Sequence, residues 1–150
     1  MRALLQRVSH VQLSIENKLY SSIEHGLLVL LGIEEEDSQE DIDWLVQKIS
    51  KLRIFNDPQG KMNLSVVDIE GEILVVSQFT LHASTKKGNR PSYIKAATPA
   101  VAKPLYEKFI KDIGLANTIK ISTGKFGADM KINLTNDGPV TILLDSKNKE

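Results

Sequence analysis

The sequence predicts an α+β fold, a single domain of mixed, largely antiparallel β-sheets that is barrel-like in outline, with two main helices packed outside. Short apolar segments separated by turn residues are typical of strands joined in hairpins. Two longer segments have the three- and four-residue apolar spacing of helices. Helices placed irregularly among strands favour this class over a regular alternation of strand and helix. Because no linker rich in proline, glycine or serine divides the chain, one domain is expected over residues 1–150.

The N-terminal segment predicts two strands. Apolar Val11, Leu13 and Ile15 alternate with polar residues, which is the period of a half-buried strand. Turn signals follow at residues 16–18 and 25–26. The continuous apolar run 27–33 then indicates a strand that is buried on both faces.

A first helix is predicted after Ser38. Its apolar face consists of Ile42, Leu45, Val46, Ile49 and Leu52. Ser38 and Asp41 have the spacing of a capping box. Seven acidic residues occur within residues 34–43, but the spacing and central glycine of an EF-hand loop are absent. We therefore interpret this segment as a solvated helix start rather than as a calcium site.

The second half of the chain predicts five more strands. They follow a turn at residues 56–60 and are expected at 62–67, 72–79, 119–122, 131–135 and 140–145. Residues 80–97 have little periodicity and are expected to form a long loop.

A second helix is predicted over residues 99–113, with Thr98 as N-cap and Pro99 at the first helical position. Pro104 predicts either a kink or a start near Lys103. Gly114 is expected to end the helix.

Composition excludes several classes of protein. The chain has no cysteine, which excludes disulfides, thiolate metal sites and a cysteine nucleophile. No apolar run approaches the ~20 residues that span a bilayer, and no targeting segment is found at the start. We therefore expect a soluble, cytoplasmic protein with no membrane partner.

The distribution of charge is uneven although the total is zero, with 19 basic and 19 acidic residues. A balanced total argues against wholesale nucleic-acid binding, but residues 86–125 hold nine basic and two acidic residues. Lys86, Lys87 and Arg90 in the loop are favoured as phosphate contacts. The helical lysines are interpreted as solvating side chains; they are Lys103, Lys108 and Lys111.

Hydroxyl groups lie close to an imidazole at the end of the strand 72–79. If the strand continued, Thr80 and His82 would share a face and could form a nucleophile–base dyad. Ser77 lacks the G-x-S-x-G elbow of serine hydrolases. The other histidines, His10 and His25, are isolated, and no metal-site spacing is present.

Four short sequence motifs are informative when they are taken together. They are Ser77-Gln78-Phe79-Thr80-Leu81, Gly88-Asn89-Arg90-Pro91-Ser92, Phe126-Gly127-Ala128-Asp129-Met130 and Asn136-Asp137-Gly138-Pro139-Val140-Thr141. Together they resemble the D-aminoacyl-tRNA deacylase family, also called D-tyrosyl-tRNA deacylases. Residues 6–8, 53–55 and 60–64 are similar too, so the resemblance extends over essentially the whole chain. Residues 146–150 extend past the usual end of the family and are expected to form a solvated tail.

The resemblance implies a hydrolase that cleaves the ester between a D-amino acid, or mischarged glycine, and the 3′ end of tRNA. It implies a homodimer that acts on aminoacyl-tRNA and needs no cofactor, metal or other protein partner. Hydrolysis in the family is assisted by the terminal 2′-hydroxyl of the tRNA together with protein main-chain groups. Two alternatives stay open at this point, a noncatalytic RNA-binding domain and an esterase with a Thr or Ser nucleophile.

The resemblance also implies roles for individual residues. Gln78, Phe79 and Thr80 would form the catalytic segment and line the pocket, with main-chain groups near Phe79 serving the reacting carbonyl. Thr80 would be a pocket-lining residue rather than the attacking group. Gly138 and Pro139, joined by a cis peptide, would enter the partner's pocket as a chiral filter. The remaining substrate-binding residues are Ser77, which lines the pocket, Arg7, which orients the Gly-Pro element, and Phe126 and Met130, which border the terminal adenosine.

Overall fold

The computed structural model describes residues 1–149, which form two α-helices, eight β-strands and a short 3₁₀ helix. The strands are β1 (Arg2–Ile15), β2 (Lys18–Ile23), β3 (Gly26–Gly32), β4 (Phe55–Asn56), β5 (Met62–Leu64), β6 (Glu72–Ser77), β7 (Ile121–Thr123) and β8 (Lys131–Asp145). The helices are α1 (Gln39–Lys51), α2 (Pro99–Ala116) and the 3₁₀ helix Phe79–His82.

Six strands form one mixed sheet in the order β2-β1-β3-β6-β7, with β8 also paired to β1. β1 is antiparallel to β2, β3 and β8, whereas β3, β6 and β7 are parallel to one another. The hydroxyl of Ser21 on β2 donates to the carbonyl of Thr123 on β7 at 3.0 Å, which brings the two ends of this path together. The predicted α+β class and barrel-like outline are confirmed.

Two apolar cores lie on opposite faces of the sheet. The larger core packs α1 and α2 against the outside of the sheet, and Phe55 and Phe109 are its largest fully buried side chains. The smaller core fills the curved inside and includes Leu28 and Leu74. β3 and β6 contribute alternate residues to the two cores, which explains why the run 27–33 is apolar throughout.

β1 and β8 pass from one core to the other. Ala3 and Leu5 belong to the outer core, whereas Val11 and Leu13 belong to the inner one. The passage coincides with a bulge in β8: Gln6 pairs with Thr141 and Val8 with Asn136. Only Arg7 lies between these pairs on β1, whereas residues 137–140 lie between them on β8. Residues 137–140 therefore project from the ladder, and this segment is called the β8 bulge below.

The prediction of two separate strands, 131–135 and 140–145, is wrong, because β8 is one strand that contains a bulge. Both halves pair with the same partner, β1, so the chain does not reverse direction at Gly138-Pro139. The predicted strand 72–79 is also shorter than expected. It ends at Ser77, and the next residues form the 3₁₀ helix.

The second helix begins at Pro99 with Thr98 as N-cap, as predicted, and runs through Pro104. Gly114 does not end it, and the helix continues to Ala116. The amide of Asn117 donates to the carbonyl of Ile113 at 2.7 Å, so a side chain satisfies the C-terminal end in place of a glycine cap. Neither helix combines the length and apolar character needed to cross a bilayer.

The acidic segment 34–43 is not simply a solvated helix start. The predicted capping box between Ser38 and Asp41 is present, but Asp37 and Asp41 are buried. The α-amino group of Met1 lies 2.5 Å from Asp37 Oδ1. The Ser146 hydroxyl donates to Asp41 Oδ1 at 2.6 Å. Each buried carboxylate thus has a partner from one end of the chain, which offsets its desolvation.

The prediction of a solvated tail at 146–150 is wrong at Ser146, which is buried in this ionic cluster. Lys147 and Lys149 are exposed, but Lys147 Nζ lies 3.0 Å from Asp41 Oδ2. Lys149 Nζ lies 5.4 Å from the centre of the Trp44 ring. Residue 150 is outside the described residues.

Replacing Asp41 with asparagine is expected to destabilise the protein at neutral pH. It should also weaken the dependence of the free energy of unfolding on pH below pH 4. Burial raises the pKa of Asp41, but hydrogen bonds from Ser146, the Ser38 N–H and Lys147, with the α-amino charge, lower it to about 2. Because the folded pKa lies below the unfolded one, the carboxylate stabilises the fold above pH 4, and this contribution is lost as pH falls towards 2. The contribution is about 2 kcal/mol.

Urea unfolding of wild type and Asp41→Asn at pH 7 and between pH 4 and pH 2.5 measures both effects. Glu40→Gln, which neutralises an exposed acid one residue earlier, is the control and should shift the midpoint far less. An identical acid dependence in wild type and Asp41→Asn would contradict the expectation.

Candidate active site

A cavity of about 580 Å³ lies at the carboxyl ends of the parallel strands β3 and β6. Its walls also include the start of the 3₁₀ helix, the start of α2 and residues 126–132. Strand ends at the same edge of a parallel sheet are a common place for a ligand site, and the volume is in the range of small-molecule pockets.

The walls of this cavity are mainly apolar and carry no charge. Within residues 1–149, no Asp, Glu, Lys, Arg or His lines it, and the polar side chains are those of Ser77, Gln78 and Tyr93. Such a cavity suits an apolar or aromatic group fixed by a few hydrogen bonds. It offers no carboxylate or imidazole as a general base.

The segment 77–80 forms one wall and changes conformation there. The Gln78 N–H donates to the Leu31 carbonyl at 2.7 Å, the last backbone bond between β6 and β3. The chain then enters the 3₁₀ helix, whose first N–H groups have no partner inside the helix. Within the described chain the N–H groups of Phe79 and Thr80 make no hydrogen bond. Two consecutive main-chain donors are therefore available at the edge of the cavity.

Gln78 and Thr80 are joined side chain to side chain, because the Gln78 amide donates to the Thr80 hydroxyl oxygen. Thr80 lies beside the cavity but is not part of its lining. The hydroxyl is thus an acceptor held by a neighbouring amide, and no base among residues 1–149 is hydrogen-bonded to it.

The proposed Thr80–His82 dyad is wrong. The strand ends before Thr80, and His82 is buried on the other side of the 3₁₀ helix. His82 Nδ1 lies 3.0 Å from Glu34 Oε1, and its Cδ2 atom lies above Gly32, where a Cβ would approach it to 3.0 Å. His82 therefore supports the wall of the cavity from behind.

Aromatic rings border the cavity on two sides. Phe79 and Tyr93 contact edge to face, with ring centroids 5.1 Å apart. Phe126 packs on Tyr106 at 5.7 Å. Tyr106 is fixed in turn, because its hydroxyl donates to the Val75 carbonyl at 2.9 Å. Burial raises the pKa of the Tyr106 phenol, which therefore stays a neutral donor.

Arg7 organises a second group of residues at the β8 bulge. Arg7 is buried, with only 7% of the residue's surface exposed. Arg7 Nε donates to the Asp137 carbonyl at 2.8 Å, and Nη1 donates to the Ile54 carbonyl at 2.7 Å. The guanidinium therefore joins the bulge to the segment before β4 through two charge-assisted hydrogen bonds.

The bulge itself is closed by Asn136. Its side-chain oxygen accepts from the Val140 N–H at 2.9 Å, and its amide donates to the Thr141 hydroxyl at 2.9 Å. Gly138 has a φ of +133°, and the Gly138-Pro139 peptide is cis. Both residues are exposed at the tip of the bulge.

The structure brings together most of the site residues expected from the sequence. Ser77, Gln78, Phe79, Phe126 and Met130 line the same cavity, although they come from segments almost fifty positions apart in the chain. Thr80, which was expected to line the pocket, is not part of the lining. The remaining expected residues, Arg7, Gly138 and Pro139, form the bulge group and do not line the cavity of their own chain.

The sequence did not predict that Tyr93 and the start of α2 line the cavity. Pro99 and Ala102 line it because α2 begins at its edge. Tyr93 is the one aromatic residue in the loop 80–97, and this was the signal that could have identified it.

Comparison with known proteins gives consistent results. Residues 4–145 match the model of a family described as D-Tyr-tRNA(Tyr) deacylase. The chain is 63% identical over 150 residues to a D-aminoacyl-tRNA deacylase of Bacteroides thetaiotaomicron, with all of both chains covered. A solved structure titled c-Myc DNA Unwinding Element Binding Protein superimposes with a TM-score of 0.93 at 41% identity, covering 97% of this chain and 98% of that one. The structure of a probable eukaryotic D-amino acid tRNA deacylase has the same fold, with a TM-score of 0.82 at 20% identity, covering 95% of this chain and 97% of that one.

Proposed function

Because the chain belongs to the D-Tyr-tRNA(Tyr) deacylase family, we propose that it hydrolyses the ester between a D-amino acid, or mischarged glycine, and the 3′ end of tRNA. The products are the free amino acid and tRNA. The main support is the 63% identity over the full chain to a D-aminoacyl-tRNA deacylase. The place of action would be the cytoplasm, where it would remove wrongly charged tRNA before translation uses it.

The uncharged cavity supports a mechanism without a side-chain nucleophile. Water attacks the ester carbonyl, the bond to the ribose oxygen breaks, and that oxygen leaves with a proton. The main-chain donors at Phe79 and Thr80 are available to stabilise the oxyanion that develops on the carbonyl. The terminal 2′-hydroxyl of the tRNA would supply the proton transfer that the walls of the cavity cannot.

Gly138 and Pro139 would provide chiral selection by exclusion. A rigid backbone wall beside the α-carbon clashes with an L-side chain and leaves a D-side chain free, so many D-amino acids are accepted. The two residues are exposed and lie outside the cavity of their own chain. A homodimer in which each bulge enters the cavity of the other protomer would bring the filter and the ester together.

The cavity walls also suit the terminal nucleotide. Phe126 and Met130 line the cavity and would border the adenine, and the packing of Phe126 on Tyr106 supports one of these walls. Ser77 and Gln78 offer the hydrogen bonds that orient the ribose and the ester.

Release of tyrosine from D-Tyr-tRNA and L-Tyr-tRNA tests the proposed function directly. We expect rapid release from the D-ester only. Turnover of neither ester, with tRNA still bound, would support a noncatalytic RNA-binding domain. Equal turnover of both esters would point to an unselective esterase.

Replacing Thr80 with valine is expected to lower kcat by less than about tenfold, because the hydroxyl accepts a hydrogen bond from Gln78 and is bonded to no base within residues 1–149. A nucleophilic hydroxyl would be essential, and its removal would cost several orders of magnitude. Single-turnover hydrolysis of D-Tyr-tRNA by Thr80→Val and by Thr80→Ser, which keeps the hydroxyl, separates the two cases. An active serine variant beside an inactive, folded valine variant would establish the nucleophile.

A further inference from the structure

A hairpin at residues 84–92 projects beside the cavity and is called the basic hairpin below. Ser84 and Ser92 close it with two backbone hydrogen bonds of 2.8 and 2.9 Å. Its cations, Lys86, Lys87 and Arg90, are all exposed. Gly88 at the tip has open space where a side chain would be, so a large partner can approach the backbone closely.

The charge of the basic hairpin is not neutralised by the protein. None of its three cations forms an ion pair with any residue in 1–149. The sequence contains no Asp or Glu between Glu72 and Glu107. Lys131, which follows the lining residue Met130 in the chain, is by contrast paired with Asp129 at 2.9 Å. The hairpin therefore contributes unneutralised positive charge near the mouth of the cavity, to which the exposed Lys95 and Lys125 add.

The basic hairpin leads directly into the cavity wall. Tyr93 follows Ser92 in the chain, lines the cavity and contacts Phe79. Phe79 is 56% exposed and Tyr93 40% exposed. These rings form an aromatic edge between the cavity and the hairpin, and such edges support the bases of single-stranded nucleic acid.

The size of the cavity requires most of the substrate to lie outside it. About 580 Å³ holds an amino acid with its terminal nucleoside and little more. Every further nucleotide adds a phosphate, and the cavity walls have no charged side chain to meet it. Counter-charge must therefore come from the rim, where the basic hairpin supplies it.

Resting on the proposed function, we infer that the basic hairpin binds the phosphate backbone of the 3′ strand of the tRNA as this strand leaves the cavity over Phe79 and Tyr93. Lys and Arg contacts to phosphates carry no sequence information. The hairpin therefore adds affinity for tRNA in general and leaves the choice of amino acid to the cavity.

The test is a triple variant, Lys86→Ala, Lys87→Ala and Arg90→Ala, assayed on two esters. One is D-Tyr-tRNA and the other is 3′-O-(D-tyrosyl)adenosine, which ends inside the cavity. For the tRNA we expect kcat/KM to fall roughly 10- to 100-fold through KM, with the dependence of log kcat/KM on log salt reduced in slope by about 2. For the adenosine ester we expect a change below about twofold.

The matched control removes three exposed lysines from the helices, Lys51→Ala, Lys108→Ala and Lys111→Ala, and has the same change in net charge. An equal loss in the control would show a general charge effect and overturn the inference. An unchanged KM for tRNA, or an equal loss on the adenosine ester, would overturn it as well.

Binding of uncharged tRNA, followed by fluorescence anisotropy, tests the hairpin without chemistry. The triple hairpin variant should bind at least tenfold more weakly than wild type, and the helix control should not. If wild type hydrolyses neither ester while this difference in binding persists, the proposed function fails and the hairpin inference stands. Equal binding by all three proteins would overturn the inference on its own.

Discussion

Replacing Gly138 with alanine is expected to lower the preference for D-Tyr-tRNA over L-Tyr-tRNA at least tenfold. A Cβ at this position would lie 2.9 Å from Arg7 Nη2 and 2.9 Å from Val140 Cγ2. The φ of +133° is also one that L-residues rarely adopt. Arg7 is buried and held by two carbonyls, so the bulge must move, and a filter that works by steric exclusion depends on its position.

The ratio of kcat/KM values for the two esters measures this effect. Gly60→Ala is the matched control, because Gly60 also has a positive φ, +78°, but has no atom within 4 Å of an added Cβ. The control should lose about 1 kcal/mol of stability from backbone strain and keep its selectivity. Unchanged discrimination by a folded Gly138→Ala enzyme would refute the role of the bulge as the filter.

Replacing Arg7 with alanine is expected to reduce kcat/KM for D-Tyr-tRNA about 100-fold and to destabilise the fold by about 3 kcal/mol. The guanidinium makes two charge-assisted hydrogen bonds, to the Asp137 and Ile54 carbonyls, and such bonds contribute roughly 1.5–3 kcal/mol each. Their loss leaves two carbonyls without a donor and frees the bulge. Lysine at this position would restore little, because one ammonium lacks the fork that reaches both acceptors.

Urea unfolding and kcat/KM on both esters, measured for Arg7→Ala and Arg7→Lys, separate stability from selectivity. Arg53→Ala is the control, since Arg53 also donates to a backbone carbonyl, that of Asn63 at 2.8 Å, but is exposed. We expect Arg53→Ala to change either quantity only slightly. An Arg7→Ala enzyme with the stability and D-selectivity of wild type would contradict the proposed support of the bulge.

The parts of the fold that the sequence predicts well are those decided by local patterning. The apolar run of β3 follows from burial on both faces, and α1 follows from its apolar stripe and the capping box of Ser38 and Asp41. These signals lie within a few residues of the element that they specify, so no knowledge of distant partners is needed.

The parts that were mispredicted depend on partners far along the chain. β8 is one bulged strand because both of its halves pair with β1, at the other end of the sequence. Asp37 and Asp41 are buried because Met1 and Ser146 neutralise or hydrogen-bond them. Neither feature can be inferred from local sequence patterns, because these contacts form only when the two ends of the chain come together in the fold.

The residues of the candidate site also fall into two groups, those predicted from local sequence motifs and those that could not be predicted locally. The motifs 77–80 and 126–130 supply seven of the sixteen residues that line the cavity, and they could be identified because each is continuous in sequence. The Thr80–His82 hypothesis failed because the strand ends at Ser77, where the last bond to Leu31 is made. Tyr93 was missed because an isolated aromatic residue in a loop has no periodicity to mark it.

The antiparallel pairing of β1 with β8 has a consequence for how the protein is made. Arg7 leaves the ribosome well before its partner Asp137, which follows 130 positions later. The residues that line the cavity, except Ile132, have all been synthesised by Met130, before β8 begins. A nascent chain therefore contains all the residues that line the cavity except Ile132 while one edge of β1 still lacks its partner strand β8. The β8 bulge, which we propose as the chiral filter, is therefore synthesised after all the residues that line the cavity.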